Sequence, residues 1–439
     1  MRALDISKEI VGRLQRHGHA AFWVGGCVRD FLLGREPVDF DIATSAKPDE
    51  IERLFQKTAP VGRQFGVMLV IEHEQTFEVA TFRSESDYED GRRPSKVEFS
   101  NAEADARRRD FTVNGLFYDP VAERLHDWVG GENDLKTKRL RTIGPAEERF
   151  AEDRLRLLRA VRLAAQLNFT IEDETFRAVQ AHASEISRVS VERIRDELLK
   201  LFWPPHAARG LDLLRESGLL NPTLPELVPM ISCEQSPEYH PEGSVYEHTR
   251  LVLANLPDDP APTLPWAALL HDVGKPATFA RESPAGPIHF YGHEKVGAEI
   301  AEELLRRLRF PRKQMDEIVF CVRRHMQFKD APNMRQATLR RLLLRPTFPI
   351  ELELHRVDCL GSHRQLDIHD FLVRESILLA ARPDIQPPLV DGRDLLDLGM
   401  PEGPALGKLL AEIREKQLQD ELKTRSEGLA WAKSRLKEI

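Results

Sequence analysis

The texture of the chain changes once, near Glu147, and that change constrains the fold more than any single residue. Before it, short apolar runs at 21–24, 40–43, 67–71, 77–82 and 113–118 alternate with turns. Several are rich in β-branched or aromatic residues and are bounded by glycine or polar clusters, the pattern of strands in a small α/β domain. After it, leucines recur at three- and four-residue spacing in AEDRLRLLRAVRLAAQLNF and SVERIRDELLKLF, as in amphipathic helices. The expected class is α+β, a small mixed sheet with helices followed by an all-helical body. At 439 residues the chain is too long for one core. Four parts are expected: a head at 1–145, a helical neck at 146–232, a helical region holding most of the histidines at 233–375, and a charged helical tail at 376–439 beyond a linker marked by Pro383, Pro387 and Pro388.

Four cysteines, Cys27, Cys233, Cys321 and Cys359, lie far apart with no C-x-x-C pair. That argues against a disulfide framework or a zinc ribbon and for a reducing cytoplasm. The opening MRALDISKEIVGRLQRHGHA has no uninterrupted apolar stretch and no small-residue cleavage site, so a secretory signal is not expected. No run reaches the roughly 18 apolar residues needed to span a membrane. The net charge of −8 argues mildly against a nucleic-acid partner, because Lys and Arg drive phosphate binding. Binding depends on the local field, however, and Arg92, Arg93, Arg107, Arg108, Arg109, Arg154, Arg156, Arg159 and Arg162 could line one basic groove.

FWVGGCVRDFLLGREPVDFDIAT reads as strand, glycine turn, helix, turn, strand. Gly25 and Gly26 allow close backbone approach at a helix start, which suits phosphate, and Arg29 lies one turn further on. A lone Gly-Gly would ordinarily be a tight turn. Asp39 and Asp41 change the reading: at i and i+2 in a strand they project from one face, and two adjacent carboxylates call for a cation. Hard oxygen ligands suit Mg²⁺, and two metal ions are the usual solution for phosphoryl or nucleotidyl transfer. Glu78, in TFEVATF, is either a third carboxylate of that site or an edge-strand glutamate.

RRRDFTVN offers Arg108, Arg109, Asp110 and Asn114, a solvated basic turn unless the strand-like FTVNGLFYDP ties it into the sheet. AEDRLRLLRAVR offers Glu152, Asp153 and Arg156, the last two three apart on a helix and able to form an ordinary ion pair. The same two side chains have a sharper use. Cytosine and adenine both present an amino donor beside a ring-nitrogen acceptor, which a carboxylate and a guanidinium match. Uracil and guanine present the reverse order and would leave both unpaired.

His248, His271-Asp272, His293, His325 and Asp358 form an ordered series, several of them on apolar helical faces where a lone polar residue needs a partner. Imidazole and carboxylate without thiolate suit Mn²⁺, Fe²⁺, Co²⁺, Ni²⁺ or Mg²⁺.

G-G-x-x-R-D followed by D-x-D resembles the nucleotidyltransferase superfamily of DNA polymerase β type. With R-R-D and E-D-x-x-R, the match over residues 20–200 is similar to bacterial class II tRNA nucleotidyltransferases (CCA-adding enzymes) and bacterial poly(A) polymerases. The resemblance implies that Gly25, Gly26 and Arg29 hold the triphosphate and that Asp39 and Asp41 bind the metals, beside which Glu78 remains the candidate third carboxylate. It implies that Arg108, Arg109, Asp110 and Asn114 contact the ribose, and that Asp153 and Arg156 choose the base, with Arg159 beside them. The charged segment TFRSESDYEDGRRPSKVEF corresponds to a loop linked to the switch from C to A addition. The histidine series resembles the HD phosphohydrolase superfamily, which implies His248, His271, Asp272 and Asp358 as one metal set and His293 and His325 as part of a second. An inactive HD fold retained for packing and RNA contact is the competing possibility.

The expected function is addition or repair of the tRNA 3′ CCA from CTP and ATP, with HD phosphohydrolase activity and no membrane partner. Within the class, the alternatives are an A-adding enzyme or a poly(A) polymerase; the mixed-sign ending ELKTRSEGLAWAKSRLKEI, in place of a basic tail, speaks against the latter. An HD phosphohydrolase with a spent head would not need an intact D-x-D and E-D-x-x-R. A non-catalytic RNA-binding protein would have no use for two complete ligand sets.

Overall fold

The computed structural model describes residues 1–436 apart from 89–93, 237, 239, 282, 284–285, 383–384 and 386, with the backbone alone for 85–88 and 94–97. It comprises two compact units, Met1–Pro225 and Glu226–Ile439.

The first unit opens with α1 (Ala3–Arg16), β1 (Ala21–Val24), α2 (Gly26–Leu32), β2 (Asp41–Thr44), α3 (Pro48–Leu54), β3 (Thr58–Gly62), β4 (Val67–Glu72) and β5 (Gln75–Thr81). A hairpin of β6 (Arg83–Tyr88) and β7 (Pro94–Phe99) follows, then α4 (Ala102–Arg107), β8 (Phe117–Asp119), β9 (Arg124–His126), α5 (Gly131–Lys136) and β10 (Arg139–Leu140). Seven strands make one mixed sheet in the order β3-β4-β5-β2-β1-β8-β9. β2 lies parallel to β5 and antiparallel to β1. Trp23 of β1 is buried against Phe40, with ring centroids 4.8 Å apart, and this anchors the segment entering β2. The run at 113–118 is not one strand as expected. Thr112–Asn114 forms a 3-10 turn and pairing begins at Phe117, so only the end of FTVNGLFYDP joins the sheet.

The unit ends in helices α6 (Ala146–Glu152), α7 (Leu155–Leu167), α8 (Asp173–His182), α9 (Val191–Leu201), α10 (Ala207–Glu216) and α11 (Leu220–Thr223), with β11 (Thr170–Ile171) pairing in parallel to β10. α7 is buried along its whole length except at Arg159 and Gln166, so it is a hub rather than a surface helix.

The second unit is built on α12 (Val245–Ala254), α13 (Leu264–Leu270), a short hairpin of β12 (Ala280–Arg281) and β13 (Ile288–His289), α14 (His293–Arg307), α15 (Arg312–Arg324), α16 (Gln336–Leu343), α17 (Phe348–Gly361) and α18 (Asp367–Ala380). Every residue of α13, LPWAALL, is buried, and it delivers His271 and Asp272 into the interior. The expected charged tail has a core of its own: α19 (Gly392–Asp397), α20 (Pro404–Leu418) and α21 (Arg425–Leu436) pack around Leu395, Leu409, Ile413 and Ala432. Among the described residues no helix is long and apolar enough to cross a membrane. All four cysteines are free and buried.

Candidate active sites

In the first unit, β1 passes into α2 at Gly25, whose φ of 75° favours glycine. A Cβ built there would lie 3.0 Å from Arg109 Nη1, and one on Gly26 would lie 3.6 Å from Arg29 Nη2. Two guanidiniums therefore stand over the glycine pair, as an anion site requires. Arg29 is held by Asp30, to which it donates at 2.9 Å, and by Asn114 Oδ1 at 2.7 Å.

Asp41 and Glu78 are register partners on the parallel strands β2 and β5. Asp39 is not in the strand as expected. It lies in the bend before β2 and is exposed, because the buried Phe40 between the two aspartates turns inward. Its charge still reaches Asp41. Burial, then Glu78, then Asp39 push the Asp41 carboxyl up to about 6. A buried carboxylate whose ionisation is opposed by two neighbouring carboxylates fits a hard divalent cation.

The arginines expected to contact the ribose are tied by a residue the sequence reading missed. Asp105, buried on α4, accepts from Arg108 at 2.7 and 2.9 Å and from Arg109 at 3.1 Å. Its placement three and four residues before the pair was the available signal. Asp110 accepts from Arg159 at 2.5 and 2.8 Å and from Asn114 Nδ2 at 3.2 Å. Burial opposes its ionisation, but Arg159 outweighs burial and holds the carboxyl well below the usual carboxylate range.

Asp153 and Arg156 do not share a helix. Asp153 follows α6 with extended backbone (φ −146°, ψ 106°), and α7 begins afresh at Leu155, whose N–H donates to Asp153 Oδ1 at 3.0 Å. The i,i+3 pair is not made. Arg156 donates to Glu152 at 2.5 Å and to the Arg149 carbonyl at 3.0 Å, while Arg193 on α9 donates to Asp153 at 2.7 and 3.2 Å. Glu152, from the same E-D-x-x-R segment, and Arg193, which was not expected, are thus the present partners of the two candidate base-reading side chains.

The basic groove is also revised. Arg107 pairs with Glu103, Arg154 with Glu185, and Arg162 with Glu197 at 2.5 Å. Arg162 is buried and donates to Glu197 and to Gln166. Arg92 and Arg93, with Gly91 of the charged loop, lie outside the described residues.

In the second unit all six expected ligands converge from five places in the chain. The Nε2 atoms of His248 (α12) and His271 are 3.2 Å apart, with Asp358 Oδ1 (α17) 3.0 and 3.8 Å from them. The Nε2 atoms of His293 and His325 are also 3.2 Å apart, 3.4 and 3.7 Å from Asp272 Oδ1. Asp272 Oδ2 turns to the other set, 3.3 Å from His271 Nε2 and 3.7 Å from His248 Nε2. One carboxylate thus bridges two clusters.

Each imidazole is oriented through its other nitrogen. Nδ1 meets the carbonyls of Ala268, Phe290 and Val322 in His271, His293 and His325, and Glu242 Oε1 at 2.9 Å in His248. Glu242, which sequence reading missed, also meets His240 Nδ1 at 2.9 Å. Facing imidazole nitrogens at 3.2 Å need a proton or a cation between them. Asp272 Oδ2 is buried without a well-aligned hydrogen bond, although Lys275 Nζ lies 2.7 Å away. Burial, with neighbouring His271, pushes His325 down to about 4, leaving it in the neutral form that a metal takes. The donor set fits two divalent cations. Gly274 makes the convergence possible, since a Cβ there would fall 2.2 Å from the His293 carbonyl oxygen.

A mixed-sheet head with paired carboxylates beside a glycine turn, and a helical unit with a bridged His/Asp cluster, are the arrangements of a polymerase-type head and of an HD domain. A model for the poly A polymerase head domain matches residues 21–141, one for the probable RNA- and SrmB-binding site of polymerase A matches 168–231, and one for the HD domain matches 245–358. The CCA-adding enzyme of Geobacillus thermodenitrificans is 46% identical over 211 residues, 48% of this chain and 52% of that protein. That of Streptococcus uberis is 46% identical over 221 residues, 50% of this chain and 54% of that protein. The chain thus spans about half the length of the curated relatives it matches. The crystal structure of the Bacillus stearothermophilus CCA-adding enzyme in complex with CTP superposes with a TM-score of 0.75 at 28% identity, covering 100% of this chain and 99% of that one. The chain thus carries, in order, stretches that match the poly A polymerase head domain, the polymerase A RNA-binding region and the HD domain, and the proteins and structures it resembles are CCA-adding enzymes.

Proposed function

We propose that the chain adds or repairs the 3′-terminal CCA of tRNA in the cytoplasm, using CTP and ATP and releasing pyrophosphate. The observation that carries this reading is the placement of Asp41 and Glu78 in register beside Asp39, at the edge of a glycine turn flanked by Arg29 and Arg109. Mg²⁺ held by Asp39 and Asp41 would supply charge neutralisation for attack of the RNA 3′-hydroxyl on the α-phosphate. Gly25 and Gly26 let the triphosphate approach the backbone, and Arg29 and Arg109 neutralise it. Asp110, locked by Arg159, fixes Asn114 and through it Arg29, linking ribose and triphosphate contacts. Asp153 and Arg156 read the base once nucleotide replaces their present partners, Arg193 and Glu152.

The test offers tRNAs ending at the discriminator base, in C and in CC, each with labelled CTP or ATP. Three specific additions followed by a stop support CCA addition. Addition to the CC-ended tRNA alone means an A-adding enzyme, and a long A ladder on generic RNA means a poly(A) polymerase. No incorporation, with Asp39→Ala behaving as wild type, would refute nucleotidyl transfer.

A second activity is favoured by the Asp272 bridge. His248, His271 and Asp358 on one side, and His293 and His325 on the other, would hold divalent cations (Mn, Ni, Co, Fe or Mg) that supply Lewis-acid chemistry for phosphoester hydrolysis. We infer phosphoesters at damaged RNA ends, 2′,3′-cyclic or 2′-phosphate, as its substrates.

A further inference from the structure

The HD cluster opens into a pocket of about 740 Å³, and part of its lining has no role in holding the six ligands. His289 and Tyr291 are the distinctive part. Their rings stack with centroids 5.1 Å apart and planes 13° from parallel. His289 ends β13, pinned across the hairpin by pairing with Ala280. Phe290, between them, packs on Phe279 at 5.9 Å and lies under Lys275 Nζ at 5.4 Å. Tyr291 is 81% exposed, so an aromatic face, backed by a second ring, is presented to solvent in the pocket that also contains Asp272 and Asp358.

A site for bare phosphate needs only cations, which Lys275 and Lys329 supply in this lining. A stacked aromatic pair has a different use: every nucleobase has a π-face, and proteins that take unpaired RNA ends stack them on aromatic side chains. We propose that the His289–Tyr291 stack is the base platform of the HD site, receiving the terminal nucleobase of a 2′-phosphorylated nucleotide while its phosphate lies toward Asp272 and Asp358. This rests on the reading of the HD unit as a phosphohydrolase. In the reaction a water oxygen bonds to phosphorus, the bond from phosphorus to the ribose 2′ oxygen breaks, and a water proton ends on that oxygen. The products are a free 2′-hydroxyl and inorganic phosphate. Tyr291 takes no part in bond making; it is a specificity-determining residue.

The experiment uses the full chain loaded with Mn²⁺ or Ni²⁺ and compares adenosine 2′-phosphate, a trinucleotide ending in a 2′-phosphate, and glycerol 2-phosphate, which has no base. Tyr291→Ala should lower the ratio of kcat/KM for adenosine 2′-phosphate over glycerol 2-phosphate roughly tenfold or more, the size of one base–aromatic stack, chiefly through KM. Tyr291→Trp should restore it. Calorimetric binding of adenosine 2′-phosphate should weaken by a similar factor in Tyr291→Ala. A larger loss with the trinucleotide identifies RNA ends as the source, and an equal loss identifies free nucleotides. If ratio and binding both stay within twofold of wild type while hydrolysis proceeds, the platform is refuted and the hydrolase reading stands. If wild type hydrolyses none of the three yet binds adenosine 2′-phosphate in a Tyr291-dependent way, the hydrolase reading falls and the platform stands. If it neither binds nor hydrolyses, both fall.

Discussion

Replacing Asp41 by Asn should make the metal-free head more stable at neutral pH while abolishing nucleotidyl transfer. Asp41 titrates near 6 in the fold, against about 3.9 for an ordinary aspartate, because burial and the charges of Glu78 and Asp39 oppose its ionisation. With the folded value raised, the stabilising contribution is complete below about pH 4 and is lost as pH rises through 6. Raising a carboxyl by about two pH units costs about 3 kcal/mol once it is ionised, and partial exposure of the side chain lowers that to about 1–3 kcal/mol. Asn keeps the shape and removes the charge, so the variant's stability should not follow this titration. The two proteins should match near pH 3.5 and diverge by that amount at pH 7.5 in EDTA. Added Mg²⁺ should reverse the order, protecting wild type and leaving the variant unchanged. Native-state hydrogen exchange of the segment 21–44, corrected for intrinsic rates and followed against urea, reads this locally. An Asn variant that is less stable at pH 7.5 without metal, or one that Mg²⁺ protects as strongly as wild type, would refute the account of Asp41 as a metal-dependent repulsive centre.

Other outcomes follow from the same geometry. Arg159→Met leaves the buried Asp110 without its cation and should cost roughly 3 kcal/mol in urea unfolding of the first unit, whereas the double change with Asp110→Asn should recover much of it. An unchanged midpoint in the single variant would show that solvent replaces the pair. His248 is resisted by burial but held protonated by Asp358 and Glu242, with its pKa raised to about 9, while His325 sits near 4. Metal entering the His248 set at pH 7 should therefore release a proton from that imidazole, and none should come from His325. Calorimetry in buffers of different ionisation enthalpy measures the count, and zero release would contradict the assignment. Gly274→Ala should cost about 3 kcal/mol, because its new methyl meets the His293 carbonyl, and should weaken metal binding at the His293–His325 set. Wild-type metal affinity in that variant would mean that the backbone yields.

The convergence of the six HD residues was legible because several of them are polar residues on otherwise apolar faces. His248 in VYEHTRLVL and His271-Asp272 after LPWAALL had to be buried, and buried imidazoles need partners. The strand–glycine–helix–strand of the head was legible for a similar reason, since apolar runs flanking Gly25-Gly26 leave few alternatives. What failed was register at element ends. The apolar pattern of α6 and α7 runs on as though unbroken, yet Asp153 takes extended backbone and caps the restart by accepting from Leu155. An aspartate just ahead of a leucine-rich run is a start signal, and periodicity alone passes over it. Asp39 failed for the opposite reason, because alternation assigned it to a strand that begins only after the buried Phe40.

The partners of the arginines were the larger omission, and they bear on how a chain of net charge −8 could handle RNA. Arg108 and Arg109 share Asp105, Arg156 has Glu152, Arg159 has Asp110, and Asp153 has Arg193. The Asp105 pairs are local, at i,i+3 and i,i+4, and could have been read; the Asp110–Arg159 and Asp153–Arg193 pairs join distant segments and Glu152–Arg156 spans a helix break, so no local pattern announces those. Their consequence is energetic. A guanidinium already satisfied by a carboxylate gains only the difference when a phosphate or base edge replaces that partner. The first unit therefore does not bind nucleotide as an open cationic cleft. If Asp153 and Arg156 read the base as proposed, exchange of their partners would make binding depend on how well the incoming base matches both groups at once, and a base that fits only one would leave the other pair half broken. Selectivity at this site then comes from the cost of that mismatch rather than from the strength of attraction.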